Sequence, residues 1–184
     1  MEFIRQKIPE IVLIKPNTHG DNRGYFIETF RQDLFEVFVG YKVNFIQDNE
    51  SKSAKGVLRG LHYQLPPYSQ AKLTRVIEGR ALDVAVDIRK SSPTFGQYIS
   101  VELTGSNKHQ LFVPHGFAHG FVVLSDNVTF AYKVDNYYAP EYERGIAFDD
   151  AELRVDWQLP IEKLLLSNKD KMHPKLSDAV DLFE

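Results

Sequence analysis

A chain of 184 residues is long enough for one well-packed core and short for two, so a single domain is expected. Its 22 basic and 25 acidic side chains leave a formal charge of -3, which argues against a general nucleic-acid or acidic-membrane surface; any bound anion is held locally. The absence of cysteine excludes disulfides, thiolate nucleophiles and cysteine-based zinc or iron–sulfur sites, which leaves the histidines to decide any metal reading.

The N-terminal Met1-Glu2-Phe3-Ile4-Arg5-Gln6 lacks a basic stretch backed by an apolar run, and no later segment approaches bilayer length. A cytoplasmic protein is expected. Strand-like runs follow at Ile11–Lys15 and Tyr25–Phe30. At Arg31–Phe38 the apolar positions Leu34, Phe35 and Phe38 switch to helical spacing, which predicts a short helix. Further runs lie at Asn44–Asp48, Gly56–Gln64, Lys72–Glu78, Leu82–Arg89, Gln97–Leu103, Gln110–Val113, Phe121–Leu124 and Val128–Val134. The clearest period of two sets Leu82, Val84, Val86 and Ile88 on one face and Asp83, Ala85, Asp87 and Arg89 on the other. Turns at Glu78-Gly79, Ser92-Pro93, Gly105-Ser106-Asn107 and Ser125-Asp126-Asn127 separate the runs, so the pattern is that of a β-sandwich or barrel. The tail from Pro160, with Ile161, Leu164 and Leu165, predicts a second short helical segment that packs back on the β domain and brings Asp170 within reach of its interior.

Two glycine-bracketed histidines stand out: Gly56-Val57-Leu58-Arg59-Gly60-Leu61-His62-Tyr63-Gln64 and Val113-Pro114-His115-Gly116-Phe117-Ala118-His119-Gly120-Phe121. Glycine permits tight backbone paths and the apolar neighbours favour a pleated, half-buried surface, so each histidine sits where a strand borders an interior. Imidazole is the readiest base near neutral pH. Abstraction of a proton beside a carbonyl needs a base, a cation or donors at the oxygen that becomes an enolate, and an acid to return the proton. His62 fits the base, with Asp83 or Asp170 as the carboxylate that fixes its tautomer; Lys72 fits the cation and Tyr132 the neutral acid.

Metal chemistry is the competitor, because Pro114-x-Gly116-x-x-His119 is similar to the second metal-binding motif of many cupin barrels. The first motif does not match: His62 is followed by Tyr63-Gln64, and no glutamate arrives until Glu78. His62, His115 and His119 therefore lack an obvious carboxylate to complete a site, and no metal is expected. Gly20-Asp21-Asn22-Arg23-Gly24 has neither the lysine–serine/threonine ending nor the strand–helix context of a phosphate loop, so phosphate would be held by side chains such as Arg23 and Arg59. Tyr137-Tyr138 could stack on a base or fill a gap in the core.

The chain closely resembles the RmlC-type dTDP-4-dehydrorhamnose 3,5-epimerases. The stretches that carry the resemblance are Arg23-Gly24-Tyr25-Phe26-x-Glu28, Gln47-Asp48-Asn49-x-Ser51-x-Ser53, the His62 motif, Asp83-Val84-Ala85-Val86-Asp87-Ile88-Arg89, Gly116-Phe117-Ala118-His119-Gly120-Phe121, Tyr132-Lys133 and Ser167-x-Lys169-Asp170. The resemblance implies a mainly β, cupin-like jelly roll over residues 1–184 that uses no metal or cofactor and inverts C3 and C5 of a dTDP-linked 4-keto-6-deoxyhexose, both carbons flanking one carbonyl. It implies His62 as base with Asp170 as its partner, Tyr132 as proton donor and Lys72 at the enolate oxygen. Arg23 and Arg59 would hold the diphosphate, Tyr138 would stack on thymine, and Glu28, Gln47, Asn49, His119, Glu143 and Lys169 would line the site. It further implies a homodimer in which N-terminal strands, within about residues 1–50, cross to the partner and carry Arg23, Phe26 and Glu28 into its pocket. Asn168, where the family more often has glutamate, and Phe148-Asp149-Asp150-Ala151, where Trp-x-Asp-Pro is frequent, depart from the pattern. They leave open an epimerase acting at one carbon or on another nucleotide sugar; a metal-dependent cupin sugar isomerase and a non-catalytic sugar-binding module are the remaining rivals.

Overall fold

The computed structural model describes residues 1–184. In chain order the strands are β1 (Glu2–Arg5), β2 (Val12–Lys15), β3 (Thr18–Asp21), β4 (Gly24–Ile27), β5 (Gln47–Ala54), β6 (Leu58–Gln64), β7 (Lys72–Glu78), β8 (Arg80–Asp87), β9 (Tyr98–Thr104), β10 (Gln110–Val113), β11 (Phe117–Val123), β12 (Asn127–Val134) and β13 (Glu143–Gly145), with one helix, α1 (Gln32–Val39), between β4 and β5. They form a six-stranded sheet in the order β1-β2-β10-β7-β12-β5 and a five-stranded sheet in the order β13-β6-β11-β8-β9, while β3 and β4 make a separate hairpin. From β5 to β13 the chain passes repeatedly from one sheet to the other, and the named pairings are antiparallel, as in a jelly roll.

Three apolar layers account for the strand sequences. Between the sheets, Val76, Ala85, Leu111, Val113, Phe117, Phe121 and Phe130 pack together. The outer face of the five-stranded sheet, with Leu58, Leu61, Leu82, Val84, Val86 and Val122, is covered by the C-terminal segment through Ile146, Leu153, Trp157, Leu164 and Leu176. The outer face of the six-stranded sheet is covered by α1, whose Phe35 is fully buried against Val12, Ile14, Leu73 and Phe112. Strand β8 thus buries both faces, and its Asp83 and Asp87 point into the protein with no exposed surface. Asp87 is satisfied by Arg89, Ser92 and Thr94.

Several local expectations are corrected. The helix expected at Arg31–Phe38 lies one residue later and stops at Gly40, whose left-handed φ of 89° lets its amide donate to the Glu36 carbonyl. The C-terminal tail holds only single 3-10 turns at Ile161–Lys163, Asp170–Met172 and Leu176–Asp178. Pro174 interrupts any helix there, and Leu164 and Leu176 reach the sheet as separate anchors instead of forming an apolar stripe. The strand expected over Asn44–Asp48 runs over Gln47–Ala54, because this polar segment is an edge strand held by pairing with β12 and carries no apolar signal. β11 begins at Phe117, four residues before its expected start. β1, β3 and β13 are short strands without a period of their own.

Candidate active site

Arg59 and His62 both face the space between the sheets, although three residues apart in one strand they would ordinarily point to opposite faces. The reason lies at Gly60. The pairing of β6 with β11 slips between His119 and Phe121, and a Cβ on Gly60 would come within 2.5 Å of the Gly120 Cα, so the irregularity needs a glycine on each strand. The extra residue resets the alternation, leaving Leu61 and Tyr63 in the outer core and His62 and Gln64 in the pocket.

The resulting cavity, of about 440 Å³, is walled by both sheets and closed by the C-terminal segment. The five-stranded sheet supplies Arg59, His62, Gln64, His119, Phe121 and Glu143; the six-stranded sheet supplies Asn49, Ser51, Lys72, Phe130 and Tyr132; the tail supplies Ser167, Lys169 and Asp170. Phe121 and Phe130 stack face to face at 4.0 Å, bridging the sheets at the cavity floor. The Ser51 hydroxyl is buried on this wall without a hydrogen-bond partner, a group that a polar ligand would satisfy.

His62 Nε2 lies 2.6 Å from Asp170 Oδ1, whose side chain is only 6% exposed. The carboxylate accepts the Nε2 proton, which leaves Nδ1 as the basic nitrogen. Burial pushes the His62 pKa below the usual imidazole value, and the Asp170 hydrogen bond only partly restores it. Burial works against the Asp170 charge as well, but the neighbouring His173 and His62 rings outweigh it, and the carboxyl is held far below the ordinary range. Asp83, the other candidate partner, is instead bound to His119 Nε2 at 2.7 Å and to the Thr74 hydroxyl at 2.5 Å. The two histidines are direct cross-strand neighbours, yet each is committed to a different carboxylate and they do not converge on a common point as metal ligands.

The Lys72 ammonium lies 3.4 Å from the His62 carbonyl oxygen. Burial lowers its pKa to about 8 against the pull of Asp83 and Glu143, so it is charged at neutral pH but poorly solvated. Tyr132, on β12 next to the edge strand β5, has its phenol pKa raised above the ordinary value by burial, with Arg59 opposing, and is a neutral donor at neutral pH. At the rim, Glu143 accepts from Lys169 at 2.5 Å and from the Tyr138 hydroxyl at 2.6 Å. That bond raises the Tyr138 pKa to about 12. Arg59 donates to Ser53 at 3.2 Å, and Gln47, next to the cavity, donates to Asn49 at 2.8 Å.

Arg23, Phe26 and Glu28 do not reach this cavity within one chain. They lie on or beside the exposed β3–β4 hairpin, with Arg23 paired to Asp21, Glu28 to Arg31, and Phe26 70% exposed. His115 pairs with Asp135 at the surface. Among the neighbours that sequence reasoning passed over, Phe121 and Phe130 look like ordinary core residues. His173 alone carried a signal, as a second imidazole three residues after Asp170. His62, Asp170 and His173 form the one group of three histidines and carboxylates whose donor atoms all lie within 4.8 Å of one another.

The sequence profile of the dTDP-4-dehydrorhamnose 3,5-epimerase family matches residues 5–178. The chain is 53% identical over 179 residues to a dTDP-4-dehydrorhamnose 3,5-epimerase from Shigella flexneri, covering 97% of this chain and 98% of that one. It is 49% identical to the enzyme of the same name from Pseudomonas aeruginosa, with the same coverage. Among solved structures, a dTDP-6-deoxy-D-glucose-3,5-epimerase from Legionella pneumophila in complex with dTDP-4-keto-L-rhamnose is similar at a TM-score of 0.95 and 48% identity, over 100% of this chain and 97% of that one.

Proposed function

The chain belongs to the dTDP-4-dehydrorhamnose 3,5-epimerase family, and on that premise we propose that it turns dTDP-4-dehydro-6-deoxy-D-glucose into dTDP-4-dehydro-L-rhamnose through a single base, His62, serving both carbons that flank the C4 carbonyl. The observation that carries this reading is the 2.6 Å His62–Asp170 pair, set between two sheets with Lys72 and Tyr132 on the opposing one.

The C–H proton beside the carbonyl passes to His62 Nδ1, and the electron pair moves to the carbonyl oxygen as an enolate. Asp170 stabilises the imidazolium that forms, and the Lys72 ammonium stabilises the enolate oxygen in a site where water screens little. Tyr132 returns a proton to the carbon from the opposite face, which inverts it. Solvent then restores His62 and Tyr132, and the second carbon follows the same course. Base, acid and cation all come from the chain, so the reaction calls for no cofactor.

Arg59 holds the diphosphate, Tyr138 stacks on thymine, and Gln47, Asn49, His119, Glu143 and Lys169 position the nucleotide sugar. The exposed hairpin suits a homodimer in which β3 and β4 cross to the partner and place Arg23, Phe26 and Glu28 at its pocket. No helix is long and apolar enough to cross a membrane, and the reading is that of a cytoplasmic enzyme feeding a rhamnose-containing surface polysaccharide. In deuterated water the substrate should lose its proton signals at both C3 and C5 in an NMR time course. Exchange at one carbon alone would make it a single-position epimerase.

A further inference from the structure

Behind the dyad lies a third imidazole that the epimerase chemistry does not use. His173 sets its Nε2 3.6 Å from Asp170 Oδ1, outside hydrogen-bond range, and its ring stands edge-on to His62 with centroids 5.4 Å apart. The ring lies flat over Gly145 of β13, where any side chain would collide with it. Its Nε2 is buried and makes no hydrogen bond, with the Asp170 carboxylate as a charged neighbour just out of reach.

Two imidazoles and one carboxylate are donors that suit zinc, cobalt, nickel or copper far better than magnesium or calcium. In a tetrahedral zinc site with bonds of about 2.0–2.1 Å, ligand atoms stand about 3.3 Å apart. The His173–Asp170 separation of 3.6 Å is already close to that, and the 2.6 Å His62–Asp170 separation widens once a dication takes His62 Nε2 and the ring proton moves to Nδ1, which then has no lone pair to act as base. A second cavity, of about 550 Å³, reaches His173 from the other side of Glu143 and Lys169, which line both cavities; its remaining charged lining is Asp178 and the Arg144–Asp181 pair.

We propose that His62, Asp170 and His173 form an inhibitory site for a zinc-class divalent cation, which withdraws the base from the reaction. The effect on rate rests on His62 being that base; the binding does not.

The test uses full-length enzyme stripped of metal, titrated with Co²⁺ while its visible absorption is followed, and with Zn²⁺ while deuterium exchange is followed, each variant being scored against its own metal-free rate. The wild type should take up one Co²⁺ per chain with the intense visible bands of a tetrahedral site. Zn²⁺ should inhibit, a chelator should reverse the inhibition, and Mg²⁺ at equal concentration should not inhibit. His173→Ala should weaken both effects at least about tenfold, as should His173→Phe, which keeps a ring over Gly145 without a ligating nitrogen. Equal Zn²⁺ sensitivity in both variants, no visible bands, equal inhibition by Mg²⁺, or a loss of activity on metal removal would each overturn the proposal. If His62→Ala loses the Co²⁺ bands but keeps exchange, the metal site stands and the base assignment falls. If exchange depends on His62 but no Co²⁺ binds, the metal site alone falls.

Discussion

Two of the protein's histidine–carboxylate pairs, the two that border the cavity at 2.6 and 2.7 Å, are nearly equal in length, and their surroundings give them different work. His119–Asp83 joins neighbouring strands of one sheet and is tied off by Thr74; Asp83 is wholly buried and His119 keeps only 8% of its side chain exposed where it lines the cavity. His62–Asp170 joins a strand to the tail 108 residues later, and its imidazole remains 26% exposed to the cavity. A short hydrogen bond is therefore no sign of catalysis by itself. A basic nitrogen that can meet a ligand, with a cation and a neutral phenol on the facing wall, is the feature that sets the second pair apart.

The largest effect that would sharpen this contrast is on rate. Asp170→Asn should lower exchange at C3 and C5 by roughly 10²- to 10⁴-fold, because the amide no longer supports the imidazolium, while the melting temperature changes little. If Asp170→Asn keeps full activity, the two pairs are equivalent and the tail is only a lid. Asp83→Ala should show the opposite balance. It strands a buried imidazole and a threonine hydroxyl and should cost about 3 kcal/mol in urea unfolding. An Asp83→Ala protein of unchanged stability would mean that the closed pair is not the structural one.

Tyr132→Phe separates the two halves of inversion. With the base intact and the acid gone, solvent deuterium should still enter the substrate while inverted product falls about 10²-fold or more, as the ratio of exchange to product by NMR would show. If exchange and inversion fall together, the proton returns by another route.

The smallest effect is in the pH profile. His62 must be neutral to act and its pKa is lowered, so the acid limb of kcat/KM should lie below the usual imidazole value of 6.5. Asp170→Asn should move that limb lower still, because the hydrogen bond that raises the His62 pKa is lost. Lys72 must be charged, so the alkaline limb should fall near pH 8, well before the Tyr132 phenol ionises. An alkaline limb above 10 would remove Lys72 from the enolate.

The contrast also marks what a linear sequence can convey. The alternation of β8 was plain because local periodicity encodes the two faces of a strand, and α1 was plain because Leu34, Phe35 and Phe38 fall at helical spacing. Strand β5 leaves no such mark, because an edge strand held by backbone pairing needs no apolar pattern. The pairing of His62 with Asp170 was not decidable between Asp83 and Asp170 from the residues alone. Asp83 is nearer in sequence, and only the path of an irregular tail across the sheet brings Asp170 to the ring. Arg59 and His62 share a wall only through the glycine-dependent slip at Gly60, a geometric effect that residue spacing conceals.

The central claim is that one base serves two carbons. Its most direct test is an NMR time course of dTDP-4-dehydro-6-deoxy-D-glucose in deuterated water with wild-type enzyme and with folded His62→Ala. The wild type should lose both the C3 and the C5 proton signals, and the variant should lose neither. Exchange that persists at either carbon in His62→Ala would contradict the account, because it would require a second base.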